Sequence, residues 1–220
     1  MKIPVIQGLI RRRLLVNYRA DPDIVQRMLP SRFRPQLHGG QALVGICLIR
    51  LEQIRPRRFP ALVGLQSENA AHRFAVEWED DGGQTRQGVF VTRRDTNLWL
   101  NHLAGGRIFP GEHQLARFVV ADRHGEISLS MRSRDGEMAI DVCGQASEEW
   151  PSESVFKSLD DASAFYERGS LGYSVSRNAC RLEGLILKTH QWHVQPLRIQ
   201  TIGSSYFDNA SRFPPGRKTK

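Results

Sequence analysis

Apolar residues recur along this chain at two distinct periods. Between residues 72 and 78, Phe74, Val76 and Trp78 alternate with Arg73, Ala75 and Glu77. That is the period of a strand with one face on a core. Asp81-Gly82-Gly83 then turns the chain into GVFVTRR, so residues 71–95 predict a hairpin. A second hairpin is predicted by GEISLSMRSRDGEMAIDVCG, with Ile127, Leu129 and Met131 on one face and a turn at Asp135-Gly136. Residues 39–54, GGQALVGICLIRLEQI, leave a Gly-Gly turn for a nearly unbroken apolar run, as in a strand buried on both faces.

The helical period is confined to short stretches. After the strand in LLVNYRA, Asp21 can cap a helix, Pro22 fits its first position, Ile24, Val25, Met28 and Leu29 share a face, and Pro30 ends it. A second short helix is expected from a Thr96 cap to Gly105, and a third over SLDDASAFYERG, with Ala162, Phe165 and Tyr166 as its apolar side. One or two strands close the chain. The pattern predicts about eight to ten strands and three short helices in an order that does not alternate β and α. This is an α+β fold dominated by antiparallel β-structure, a sheet or barrel with helices at its edge.

Composition narrows the picture. A chain of 220 residues, 40% hydrophobic and 25% charged, can bury a sizeable core, and nothing in its middle reads as a linker. One domain over residues 1–210 is expected, followed by a flexible basic tail over residues 211–220. The net charge is +8, and 26 of the 31 basic residues are Arg. The arginines are scattered in short runs without a nucleic-acid-binding motif, which makes nucleic acid an unlikely partner. Three widely spaced cysteines (Cys47, Cys143, Cys180) fit a reducing compartment. Arg11 to Arg13 interrupt the N-terminal apolar stretch, and no apolar run is long enough to span a membrane. A cytoplasmic protein is expected.

Several reaction classes lose their usual support. There is no HExxH, Cys-x-x-Cys, G-x-S-x-G, P-loop or dinucleotide fingerprint. His190 and His193 flank Trp192 at a spacing that a strand would send to opposite faces, so no metal is expected there. No cofactor is expected either.

Four segments carry a family likeness. LLVNYRADPDIVQRMLPSRF is similar to the opening of acetoacetate decarboxylase-like proteins, where a strand ending in Tyr-Arg-Thr-Asp leads into a helix stopped by Pro. SEN at 67–69 resembles that family's Glu-bearing segment, and GGRIFPGEHQLARF its GREIFGFPKKLA loop. KTHQWHVQPLRI resembles the HHPPWPL ending of an uncharacterised branch of the superfamily.

The resemblance implies a cone-shaped, largely antiparallel β-barrel enclosing an apolar pocket, and by analogy a homo-oligomer. In the decarboxylases the first loop lysine forms a Schiff base, and the second depresses its pKa. Matched from Phe109 and Leu115-Ala116, those positions fall here on His113 and Gln114, and no lysine occurs between Lys2 and Lys157. Imine chemistry is therefore not expected unless Lys157 or Lys188 reaches the pocket.

The expectation is a protein that binds a small keto or carboxylate compound, with acid/base chemistry if it is an enzyme; the alternatives are a non-catalytic ligand-binding or sensor protein, or a basic nucleic-acid-associated one. Catalytic candidates are His113, Glu68 and Glu112, with His113 pointing into the pocket and Glu68 within reach across it. Substrate-binding candidates are Arg11, Arg13, His72, Arg73, Gln114 and Trp192. Alternation places Arg11 and Arg13 on one face and Arg12 on the other.

Overall fold

The computed structural model describes residues 5–60, 64–106, 110–176, 181–187, 192–215 and 218–219. Three long strands make its centre: β1 (Ile6–Ala20), β4 (Gln41–Pro56) and β5 (Leu65–Glu79), joined antiparallel in that order. Between β1 and β4 lie the helix α1 (Pro22–Met28) and the two-residue strands β2 (Arg34–Pro35) and β3 (Leu37–His38). The expected cap is present: the Asp21 carboxylate accepts from the Asp23 and Ile24 amides, and Pro22 opens the helix. β6 (Thr85–Thr96) completes the first predicted hairpin with β5. A short α2 (Trp99–Ala104) follows; Leu98, not Thr96, occupies its N-cap, and the Thr96 hydroxyl accepts from the Leu98 amide instead.

The second half begins with β7 (His113–Arg123), a strand where a loop was expected. β8 (Glu126–Ser133) and β9 (Ala139–Ala146) form the second predicted hairpin. Then come α3 (Leu159–Arg168), capped by the Ser158 hydroxyl, β10 (Leu171–Val175), β11 (Leu182–Ile186), β12 (Leu197–Ser204) and β13 (Lys218–Thr219).

The strand path runs β12-β9-β8-β7-β6-β5-β4-β1-β13, mostly antiparallel. The closed barrel is corrected to an open sheet, because the terminal strands β12 and β13 do not pair among the described residues. β7 joins β6 in parallel over only three positions, Arg94 to Thr96 against His113 to Leu115. The path folds at this short seam, and both halves supply one hydrophobic cluster: Val16, Ile46 and Phe74 from the first, Leu129, Met131 and Ile140 from the second.

The opposite face of β4 and β5 is covered separately. Leu43 and Ala75 pack there with Phe156, Ala162 and Phe165 around α3. Thus β5 has a core face and an α3 face, both buried, and its two-residue period is what assigns a side chain to one or the other.

The end of the chain corrects an expectation. Phe213, in the stretch read as a flexible tail, is only 4% exposed and belongs to the main cluster, 5.4 Å from Phe207. Arg212 stacks over the Tyr206 ring at 4.5 Å. One large apolar side chain is enough to dock a polar segment when the site that receives it is aromatic.

Candidate functional site

Strand alternation separates three pairs of sequence neighbours. On the core face lie Arg12, His72 and Arg93; on the α3 face lie Arg13, Arg73 and Arg94. The core-face charges are matched. Arg12 meets the Glu68 carboxylate at 2.5 Å, and Arg50, in register between them, donates to it at 3.3 Å. Arg93 donates to Asp95 at 2.9 Å, to Asp135 at 2.7 Å and to Glu137 at 2.7 Å, tying β6 to the β8–β9 turn. Asp95 is fully buried, and burial raises its pKa against the pull of Arg93. His72 is also fully buried, stacked 4.8 Å from the Tyr206 ring. Burial, then the positive charges of Arg93 and Arg212, bring its pKa down to about 3, so it is neutral at physiological pH.

The α3 face is different. Arg73 donates to the Asn17 amide oxygen at 2.7 Å and lies over the Tyr166 ring at 4.9 Å. Arg13 lies over the Trp192 ring at 5.1 Å. Arg94 donates to the Pro110 carbonyl at 3.3 Å, and burial pushes its pKa down to about 10. None of the three has a carboxylate within ion-pairing distance among the described residues.

β6 takes two neighbours on one edge: β10 beside Val89 and Phe90, and β7 from Arg94 onward. Between them no strand pairs with this edge among the described residues, and a cleft of about 470 Å³ opens there. Arg94, Gly111, Glu112, Gln114, Ser174 and Tyr206 are among its lining. Gly111, at φ 74°, is packed so closely on β10 that a Cβ would come 2.8 Å from that of Ser174. Its amide donates to the Glu183 carboxylate at 3.1 Å. A residue without a side chain and free to take this conformation is needed to bring the loop against Ser174.

His113 begins β7 directly beside Arg94. Burial, then the Arg94 charge, lowers its pKa to about 4, so its imidazole is neutral near pH 7 and a weaker base than a free one. The His113 carbonyl accepts from His102 Nδ1 at 2.5 Å, which ties α2 to β7.

The sequence-derived candidates therefore separate. Glu112 and Gln114 line the cleft. His113 does not line it, because alternation turns it to the side opposite its neighbours, toward Arg94. Glu68 is not among the lining residues and is held by Arg12 and Arg50, so the expected His113–Glu68 pairing across a pocket is corrected. His72 sits in the core, Arg73 and Trp192 on the α3 face. Arg11 is exposed at a register shift between Ile10 and Arg12, and this bulge breaks the alternation that would have aligned it with Arg13. Lys157 is exposed; Lys188, His190, Phe109 and Cys180 lie outside the described residues. Among the described residues no three His, Cys, Asp or Glu side chains cluster as metal ligands, and no helix is long and apolar enough to cross a membrane. Sequence reasoning missed Arg94 and Ser174. The signal for Arg94 was its place beside Arg93 on a strand, with no acidic residue two positions away.

Residues 9–217 match the model of the family DUF2071, described as an uncharacterized conserved protein. The chain belongs to this family. No curated protein matches it in sequence. Among solved structures, one from structural studies of acetoacetate decarboxylase is 12% identical with a TM-score of 0.55, covering 94% of this chain and 79% of the other. Acetoacetate decarboxylase from Legionella pneumophila is 14% identical with a TM-score of 0.51, covering 78% of this chain. An acetoacetate decarboxylase-like enzyme from Sphingomonas wittichii RW1 is 15% identical with a TM-score of 0.50, covering 68% of this chain. The matches span 58% and 60% of these two chains. The DUF2071 chain thus has the acetoacetate decarboxylase-like fold, and at this identity the likeness concerns the fold alone.

Proposed function

We propose that the protein binds a small keto or carboxylate compound in the cleft beside β6, and acts on it by proton transfer rather than through a lysine imine. The observation that carries this reading is Arg94: a half-buried residue whose guanidinium lies on the cleft wall with no carboxylate beside it among the described residues. Such a group is a natural partner for a ligand carboxylate. His113, outside the lining but paired in register with Arg94 one strand spacing away, about 5 Å, is the group we assign as proton acceptor: burial keeps it neutral, although a weaker base than a free imidazole. Ser174, 4% exposed with an unpartnered hydroxyl oxygen on the same wall, can donate to a ligand oxygen. Glu112 and Gln114 supply polar contacts from the other side.

Pyruvate is a suitable probe, because loss of a methyl proton to a base can be followed in heavy water by NMR. The intact protein should accelerate exchange of the methyl protons, His113→Ala should abolish the acceleration, and Arg94→Met should weaken binding at least tenfold. Borohydride added to the protein with acetoacetate should leave the intact mass unchanged; a substrate-sized adduct on a lysine would show that imine chemistry survives.

The non-catalytic alternative has an observation of its own: Glu68 is engaged by two arginines and supplies His113 with no carboxylate. Pyruvate binding that depends on Arg94, with no accelerated exchange, would establish that reading. Absence of binding in both the intact protein and the variants would remove the cleft as a keto-acid site.

A further inference from the structure

We propose that the α3 face of the central sheet holds a second anion seat, centred on Arg73 and completed by Arg13, that takes a small oxyanion, a carboxylate or a phosphate. Arg73 is 7% exposed. It lies in a cross-strand row with Gly45 and Asn17. Gly45 keeps the middle of that row free of a side chain: a Cβ there would collide with the Val16 carbonyl and come 3.1 Å from the Asn17 amide oxygen. The guanidinium passes over this glycine to donate to that oxygen, a neutral acceptor. Tyr166 of α3 supplies the ring beneath it, and its hydroxyl, a second neutral acceptor, lies within reach of the same guanidinium.

Arg13 approaches from β1, stacked on Trp192, whose indole N–H donates to Ser163 of α3 at 2.6 Å. The two guanidinium groups are close enough that Arg13 helps lower the pKa of Arg73, after burial itself. The Nε atoms of both are buried and have no hydrogen-bond partner. Aromatic faces attract these cations but do not accept their N–H bonds.

A buried guanidinium and a half-buried one beside it, each with a buried unused Nε donor, call for an acceptor. On the core face of the same strands every such arginine has one: Glu68 for Arg12 and Arg50, Asp95 for Arg93. The α3 face provides no carboxylate of its own to Arg13 or Arg73 among the described residues. An oxyanion presents two or more oxygens to two guanidinium forks, which fits this deficit. The site is separate from the cleft and does not rest on the reading of Arg94.

Thermal unfolding in sodium chloride, sodium phosphate and sodium succinate at equal ionic strength tests the proposal. Phosphate or succinate should raise the Tm of the intact protein in a saturable way, and the anion that does so names the ligand's chemistry. Arg73→Met should lose the rise and, in chloride, unfold at a temperature equal to or above that of the intact protein, since a buried unmatched cation has been removed. Arg13→Met, at a half-buried position, should weaken the apparent affinity about tenfold. Arg94→Met should keep the part of the rise that Arg73→Met removes. If Arg73→Met and Arg13→Met keep the rise, or neither anion raises the Tm of the intact protein, the seat does not exist. A rise lost only in Arg94→Met would assign anion binding to the cleft alone and overturn this proposal without touching the earlier one.

Discussion

The core face and the α3 face of the central sheet are built from adjacent residues, yet they treat charge in opposite ways. Arg12 and Arg93 are neutralised in place by Glu68 and by Asp95, Asp135 and Glu137. Arg13, Arg73 and Arg94, each one position along the same strands, meet only neutral acceptors and rings. The local cause is visible in the two-residue period. Arg93 has Asp95 two positions on, on its own face, whereas the residues two away from Arg73 are Ala71 and Ala75, and Thr92 and Thr96 flank Arg94 at that distance. A sheet buried on both faces can thus use one side for internal ion pairing and keep cations on the other for something brought from outside.

The largest effect that would break this comparison is Asp95→Ala. It leaves the Arg93 guanidinium without its innermost partner, and loss of one member of a buried pair costs about 3–5 kcal/mol. Equilibrium denaturation should show it, and an unchanged stability would mean that Asp135 and Glu137 suffice. Phe213→Ala should cost a similar amount, about 3–5 kcal/mol, because the ring is seated in the core-face cluster. A negligible change would return the last ten residues to the status of a free tail. Glu68→Gln should cost less, about 1.5–3 kcal/mol, since it keeps the shape and removes charge-assisted bonds from Arg12 and Arg50.

Acid sharpens the comparison with a smaller effect per step, because each face carries one neutral histidine, His72 fully buried and His113 half-buried. The folded pKa of His72 is about 3 and that of His113 about 4, both below the ordinary 6.5. The unfolded chain therefore binds more protons, and stability is present above about pH 6.5 and is lost as pH falls toward those values. Each histidine contributes a slope of up to about 1.4 kcal/mol per pH unit. Asp95, with its raised pKa, acts in the opposite sense in the carboxylate range. Replacing His72 with Phe should flatten the decline through pH 5, and replacing His113 should flatten it independently; an unaltered slope in either variant would show that the corresponding imidazole is solvated.

Much of the architecture is legible in residue order alone. The turns at Asp81-Gly82-Gly83 and Asp135-Gly136, the Asp21-Pro22 helix start and the Ser158 cap are local devices, each satisfied by residues within a few positions. Alternation likewise dictates that Arg12 and Arg13, or Arg93 and Arg94, must part company. The family likeness in the 67–69 and 105–118 segments points to the right fold, although the closed barrel it suggests is an open sheet here.

Tertiary structure alone decides what each separated side chain then meets. His113 opens a strand because β6 offers it a free edge in parallel, a pairing between segments joined through α2 and a loop that local propensity does not encode. Its proton affinity falls rather than rises because burial and Arg94, not Glu68, surround it. Phe213 is ordered because Phe207 and Tyr206 leave an aromatic site for it. The bulge at Arg11 removes that residue from the face it would otherwise share. Residue order sets the period of a strand, and hence which neighbours are divided. Partners, burial and dielectric come from chain segments distant in sequence, and these determine whether a divided arginine becomes half of an ion pair or an open seat for an anion.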